Sequence, residues 1–506
     1  MLRGFCLSLA LWALALPAWA AEPAPLSQAT QECLECHAVV TPGIVAGWRA
    51  GRMARTTPAR ALKQPRQRRR ISVERLPARL AEVAVGCAEC HTLRPKAHAD
   101  TFDHEGSAVH VVVTPDDCAT CHPKERKQFA HSLKAKARVN LLGNPLYLDM
   151  VRQVVGLPRV HGIGVRAAAP SAADLADSCL YCHGTEVKVV GTRKVDNDLG
   201  QFEIPKLAGW PNRGVGRLNP DRSLGSCSAC HTRHCFSIAV ARSPAACVQC
   251  HKGPDVPAYK VYAVSKHGNL YTAVGKHWDL EAVPWKVGEH FLAPTCATCH
   301  ISGLQHPEGE EIAPRTHALS DRLWWRILGL IYSHPHPKDP DTSRIRNAQG
   351  LPLPTGLDGT PARRFLIDAA EQTRRQERMA RVCRACHGSQ WVAGQMARMR
   401  RVNASADAAV KAATRLVQEA WRRGLAAGPP GASPFDEYLE RLWVEQWLFF
   451  ANSVRYATAM MGADLGTFEN GRWYTTKTLR HMEDWLAARA GAVKAGAVKA
   501  GAEQKK

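Results

Sequence analysis

Sixteen of the eighteen cysteines fall into eight copies of Cys-x-x-Cys-His. They are Cys33, Cys36 and His37; Cys87, Cys90 and His91; Cys118, Cys121 and His122; Cys179, Cys182 and His183; Cys227, Cys230 and His231; Cys247, Cys250 and His251; Cys296, Cys299 and His300; and Cys383, Cys386 and His387. Two thiols one helical turn apart can add across the two vinyl groups of a haem, and the imidazole that follows reaches the iron from the proximal side. Disulfides need no histidine after each second cysteine, and neither do zinc sites built from paired cysteines. The repeated histidine therefore implies eight covalently attached c-type haems. Cys235, outside the motifs, reads as a small buried thiol.

An iron held by one imidazole takes a second axial ligand unless that position is kept for substrate. Fourteen histidines lie outside the motifs, enough to complete seven haems. Nearness to a motif or a helical context selects His131, His234, His267, His290 and His317 as distal ligands, followed by His110, eight residues before Cys118. Met53 as a sixth ligand would raise the potential of its haem, against the plainer reading of an apolar packing residue.

The elements that must position these groups are mainly helical. We expect a mainly α fold in which haems form much of the core. Residues 1–20, with Arg3, an apolar run to Leu16 and Ala18-Trp19-Ala20, read as a cleavable export signal. Export to the periplasm agrees with haem attachment outside the cytoplasm. Residues 21–360 carry seven motifs at irregular intervals, which excludes a fixed-period repeat. Their Gly- and Pro-rich connections, such as Pro205 to Pro220 and Pro335 to Pro354, read as loops around cofactors. From 361 to 487 the texture changes to long helices, predicted over Ala362–Arg401, Ser405–Ala427 and Ser433–Met461. Ser433-Pro434 is a start signal, and Leu439, Leu442, Trp443, Trp447, Phe450 and Val454 recur at helical spacing. The tail 488–506, with its Ala-Gly-Ala-Val-Lys repeats, reads as disordered.

A formal net charge of +22 first raises nucleic acid as a partner. Sixteen haem propionates would absorb much of it, including the Arg49–Arg79 stretch, and no nucleic-acid motif is present. Nucleic acid is therefore set aside, and residual positive charge favours a small anionic substrate.

The block from Ser178 to Tyr271 resembles the hydroxylamine oxidoreductase family of octahaem cytochromes. The likeness lies in His231-Thr232-Arg233-His234 with Phe236-Ser237, and in Lys252-Gly253-Pro254-Asp255; it continues through Thr316-His317 into the C-terminal helices. The resemblance implies clustered haems, a homotrimer, and an open coordination site at the fourth motif, with His183 as proximal ligand. It also implies that Asp255 transfers protons at the substrate. Two departures stand out. Val256 occupies the place of a family histidine, and Leu465 the place of a tyrosine that crosslinks to the catalytic haem; Tyr456 and Tyr474 nearby read as structural. Members without the crosslink resemble reductases of nitrite or hydroxylamine.

Three functions remain open at this stage. One is reductive turnover of small nitrogen species, with electrons from a redox partner cytochrome or a quinol-linked membrane protein. Another is pure electron transfer, and the third is reduction of tetrathionate-type sulfur oxyanions. The pentahaem nitrite reductases, with Cys-x-x-Cys-Lys at the catalytic haem, are excluded because every motif here ends in histidine. N-terminal sequencing of the exported protein is expected to begin at Ala21; a chain that retains Met1 would contradict the cleavable signal.

Overall fold

The computed structural model describes residues 23–197, 200–328, 330–461 and 465–503. The expected signal at 1–20 lies outside the described residues. Through the first two thirds of the chain, regular elements are short and interrupted by loops, and several motifs are themselves a single helical turn: Cys87–His91, Cys179–His183 and Cys296–His300. Such turns are too short to hold by propensity, and local caps fix the second and seventh. Glu89, buried, accepts hydrogen bonds from the Gly86 N–H (3.0 Å) and the Thr30 hydroxyl (2.7 Å). The second turn is thereby tied to the Gln28–Val40 helix that carries the first motif. At the seventh motif Thr298 Oγ1 accepts from the Thr295 N–H.

Among the described residues, five two-stranded antiparallel sheets interrupt the helices, the three longest being Thr101–His104 with Ser107–His110, Pro158–His161 with Gly164–Ala167, and Lys188–Asn197 with Gly200–Ala208. The residues of the second are all exposed, so burial gave its sequence no alternating pattern.

The C-terminal region is a helical bundle. Ala369–Arg384 ends inside the eighth motif, and Ser389–Arg422 runs unbroken through Ser405, where we expected a new start. No Gly or Pro stands there to stop it, and the Ser405 hydroxyl accepts from Arg472 instead of capping. Ser433 likewise caps no long helix. It donates to Asp149, and the helix Tyr438–Val444 begins at a Glu437–Glu440 capping box. A π-helical turn, Glu445–Phe450, leads into Ala451–Ala459. The last helix, Trp473–Glu503, includes most of the tail expected to be disordered, whose Ala and Lys residues are strong helix formers.

Val410, Ala413, Val417, Leu439, Trp447 and Met482 form the centre of the bundle, and Leu442, Trp443 and Val454 join them. The expected boundary near 360 is crossed by packing: Leu146, Tyr147 and Met150 lie against the same core. The bundle also grips the strand that carries His334. Arg455, fully buried, pairs with Asp407, which in turn accepts from the Ser333 backbone and hydroxyl. Among the described residues no helix is long and apolar enough to cross a membrane.

Leu439→Ala is expected to cost about 2–5 kcal/mol, as large-to-small changes at closed core sites do. Thermal unfolding followed by circular dichroism checks this; an unchanged midpoint would contradict the packing described.

Candidate haem channel and open-site pocket

A continuous cavity of about 2230 Å³ runs through the molecule. That is more than twice the ~300–1,000 Å³ of an ordinary ligand pocket. Cysteines of the second to eighth motifs line it, together with many apolar side chains. Arg52, Arg66, Arg69, Arg70, Arg242 and Arg315 also face it, so the basic stretch read as a linker or propionate partner delivers several of the cavity's cations. Burial pulls the Arg242 guanidinium down to about 10. Guanidiniums partly stripped of water along a space lined by many apolar side chains suit carboxylate-bearing flat groups. The residues present therefore fit haems.

The motifs touch one another in a defined order. Thiols of Cys33 and Cys87, Cys118 and Cys227, Cys182 and Cys250, and Cys247 and Cys296 lie within hydrogen-bonding reach. Cys90 is close enough to Cys121, Cys230 to Cys247, and Cys299 to Cys383 for their charges to interact. The eight motifs thus join in one connected series, first, second, third, fifth, sixth, seventh, eighth, with the fourth attached to the sixth.

Axial partners come from elsewhere in the chain. A metal held at ~2.0 Å by one nitrogen of each of two imidazoles puts the ring centroids roughly 6 Å apart. His104 faces His37 at 6.2 Å, His317 faces His231 at 6.4 Å and His267 faces His387 at 6.1 Å. His234 is close enough to His91 for their charges to repel. Burial and nearby positive charge push His231, His300 and His317 down to about 4. They do the same to His334 and His336, to about 3. These rings are neutral at pH 7, the form that binds metal.

The other selected residues differ in their surroundings. His131 is exposed and bonds Lys127 O. His290 has both ring nitrogens engaged, by the Lys286 N–H and by Glu289. The His110 ring lies 6.0 Å from His91 with its Nδ1 unpartnered, while its Nε2 donates to Leu93 O and it stacks on His98 at 3.7 Å. Met53 lines the cavity. His104, His334 and His336 were not among the selected ligands. His104 sits at a hairpin end, and His334 and His336 lie in a Pro-rich strand, so neither nearness to a motif nor helical context marked them. Lys134, also unforeseen, has its Nζ 2.6 Å from His251 Nε2.

The fourth motif opens on a different environment. His183 Nδ1 donates to Ala137 O at 2.9 Å, which fixes the ring and leaves Nε2 for a metal. Asp255 and Arg326 both act electrostatically on His183, Tyr147 and Tyr456, and all five line the cavity. Burial pushes both tyrosine hydroxyls up, so they stay protonated donors. Tyr456, read from sequence as structural, is therefore part of this pocket. Tyr474 stacks on Phe450 at 5.1 Å. Asn452 donates to the Asp255 carbonyl at 3.4 Å, which ties that loop to the bundle. Residues 462–464 lie outside the described residues, as does the side chain of Leu465.

Comparison with known proteins agrees with this geometry. Residues 47–137 and 216–310 match a family described as seven times multi-haem cytochrome CxxCH. A probable nitrite reductase-hydroxylamine oxidoreductase fusion protein of Kuenenia stuttgartiensis is 27% identical over 316 residues, 55% of this chain. The matched part is 34% of that relative's length. A solved hypothetical multiheme protein is 41% identical, with a TM-score of 0.87 over 93% of this chain and 98% of that one. A reducing HAO-like protein complex of Kuenenia stuttgartiensis shares the fold, with a TM-score of 0.61 at 17% identity over 93% and 87% of the two chains.

Beside the second motif, Asp221 is held below the usual carboxylate range. Burial opposes this, but Ser223, Thr114 and Arg94 outweigh it by hydrogen bonding the charged form. A depressed carboxylate stabilises the fold above its unfolded pKa, and the contribution is lost as pH falls through the folded value. Asp221→Asn is expected to flatten the acid limb of stability against pH below about 4. Parallel acid limbs in denaturant titrations of the two proteins would contradict it.

Proposed function

From the premise that this chain belongs to the multihaem c-type cytochromes, we propose that it is a periplasmic octahaem oxidoreductase that reduces small nitrogen species, nitrite or hydroxylamine, at the fourth motif. The observation that carries the proposal is the gathering of Asp255, Arg326, Tyr147 and Tyr456 around His183 in the channel. Asp255 is exposed, Arg326 and Tyr147 are half-buried and Tyr456 is buried; a carboxylate, a guanidinium and two phenols converging on one iron site suit a substrate position, which a pure electron carrier does not need.

A haem bound there supplies a Lewis-acidic iron and a path for electrons. The chain's own groups do the rest. Asp255 is placed to pass protons to or from the substrate, and Arg326 offsets the charge of an anionic substrate. The tyrosines donate hydrogen bonds, and the apolar walls exclude water. The pairs His37–His104, His231–His317 and His387–His267 serve as axial ligand sets, as does His91 with His234. The connected motifs relay electrons from a partner cytochrome or a quinol-linked membrane protein, and the family resemblance favours a homotrimer. Kinship with a nitrite reductase-hydroxylamine oxidoreductase fusion supports nitrogen over sulfur substrates.

Electron paramagnetic resonance of the oxidised protein is expected to show one high-spin haem whose signal changes with nitrite or hydroxylamine. Low-spin haems throughout, indifferent to both, would identify an electron carrier, and reoxidation of the reduced protein by tetrathionate but not nitrite would select the sulfur reading. Asp255→Asn is expected to lower kcat/KM by about 100-fold or more, the scale of lost acid–base catalysis, while the haem count per chain stays unchanged.

A further inference from the structure

The turn that delivers His267 occurs twice in the chain. In Tyr262-Ala263-Val264-Ser265-Lys266-His267, the helix Ala258–Val264 ends at Ser265. The buried Ser265 hydroxyl donates back to Tyr262 O at 2.7 Å, and the Ser265 N–H bonds the same carbonyl at 2.9 Å. Ser265 Oγ then accepts from the N–H three residues on, that of Gly268. Two residues after the serine, His267 is aimed at a proximal histidine, His387.

Phe129-Ala130-His131-Ser132-Leu133-Lys134 repeats the device. The helix Pro123–Ala130 ends just before the buried Ser132. Its hydroxyl donates to Phe129 O at 2.7 Å and its N–H bonds that carbonyl at 2.9 Å. Ser132 Oγ accepts from Ala135 N, again three residues on. Two residues after this serine stands Lys134, whose Nζ lies 2.6 Å from Nε2 of a proximal histidine, His251. The neighbouring His131 is exposed and donates from Nδ1 to Lys127 O; it is Lys134 whose side chain meets His251.

We propose that the amine of Lys134 is the sixth ligand of the iron attached at Cys247, Cys250 and His251. An iron shared by two nitrogens at ~2.0 Å from each needs a wider gap than 2.6 Å, and the four-carbon stem of lysine has the freedom to open it. Coordination uses the nitrogen lone pair, so the ammonium proton is released to solvent. The position matters because the sixth motif is where the fourth joins the series: the Cys182 and Cys250 thiols are in reach of each other, and the Cys247 and Cys296 thiols likewise. An amine lacks the ring π-system of imidazole, and axial ligand identity tunes a haem's potential. Lys134 therefore distinguishes the haem that feeds the open site from its neighbours. The inference rests on haem attachment at this motif and on no assumption about substrate.

Near-infrared magnetic circular dichroism of the oxidised full-length protein tests it, because the charge-transfer band of a low-spin ferric haem reports its axial pair. The wild type is expected to show one amine–imidazole band beside the bis-imidazole bands. K134H is expected to convert that single haem to the bis-imidazole class with the haem count per chain unchanged. K134A is expected to abolish the band and add one high-spin haem. A wild-type spectrum without an amine–imidazole band overturns the proposal, and so does a band that survives K134A. The band in a protein inert to nitrite and hydroxylamine supports the ligand and counts against the substrate reading alone.

Discussion

Fixing a flat, rigid group through five consecutive residues constrains everything around it. Each motif must present two thiols and an imidazole on one turn, so the Cys87–His91, Cys179–His183 and Cys296–His300 turns are short, the first and last of them held by the caps Glu89 and Thr298. Turns of this length have no stability of their own, and the side chains around them leave a channel of about 2230 Å³. The core of the first two thirds of the chain is therefore completed by cofactor. The C-terminal bundle is different in kind. It closes on Val410, Leu439 and Trp447 without help and grips the haem-bearing region through Asp407 and Arg455.

Packing turns placed this way brings thiols of different motifs against one another, and the order of contact is not the order of sequence. The third meets the fifth and the fourth meets the sixth. The fourth motif is thus a side branch of an otherwise linear series. Around its His183, Asp255 and Arg326 act on the same two tyrosines.

What was legible in the sequence follows the range of the interaction. Attachment is local, so Cys-x-x-Cys-His named its residues directly, and helical periodicity marked Leu439, Trp443 and Trp447 as core. Axial ligands are supplied from a distance, and there the reading was mixed. His267 and His317 lie opposite proximal rings, whereas His131 and His290 bond elsewhere. Proximity to a motif does not separate these cases, whereas the shared serine turn places His267 opposite His387 and Lys134 beside His251. The Pro158–Ala167 hairpin was missed because its short exposed strands carry no alternation of apolar and polar residues, and Ser405 was overread as a helix start because a lone serine caps only where the backbone leaves the helix.

The central claim is that the fourth motif holds the iron reserved for substrate. A crystal structure of the haem-loaded protein, with iron located by anomalous scattering, tests it most directly. The account predicts an iron at each of the eight motifs, with the one on His183 Nε2 bearing water or substrate, not a protein side chain, on the face towards Asp255. A protein side chain completing that iron's coordination would contradict it.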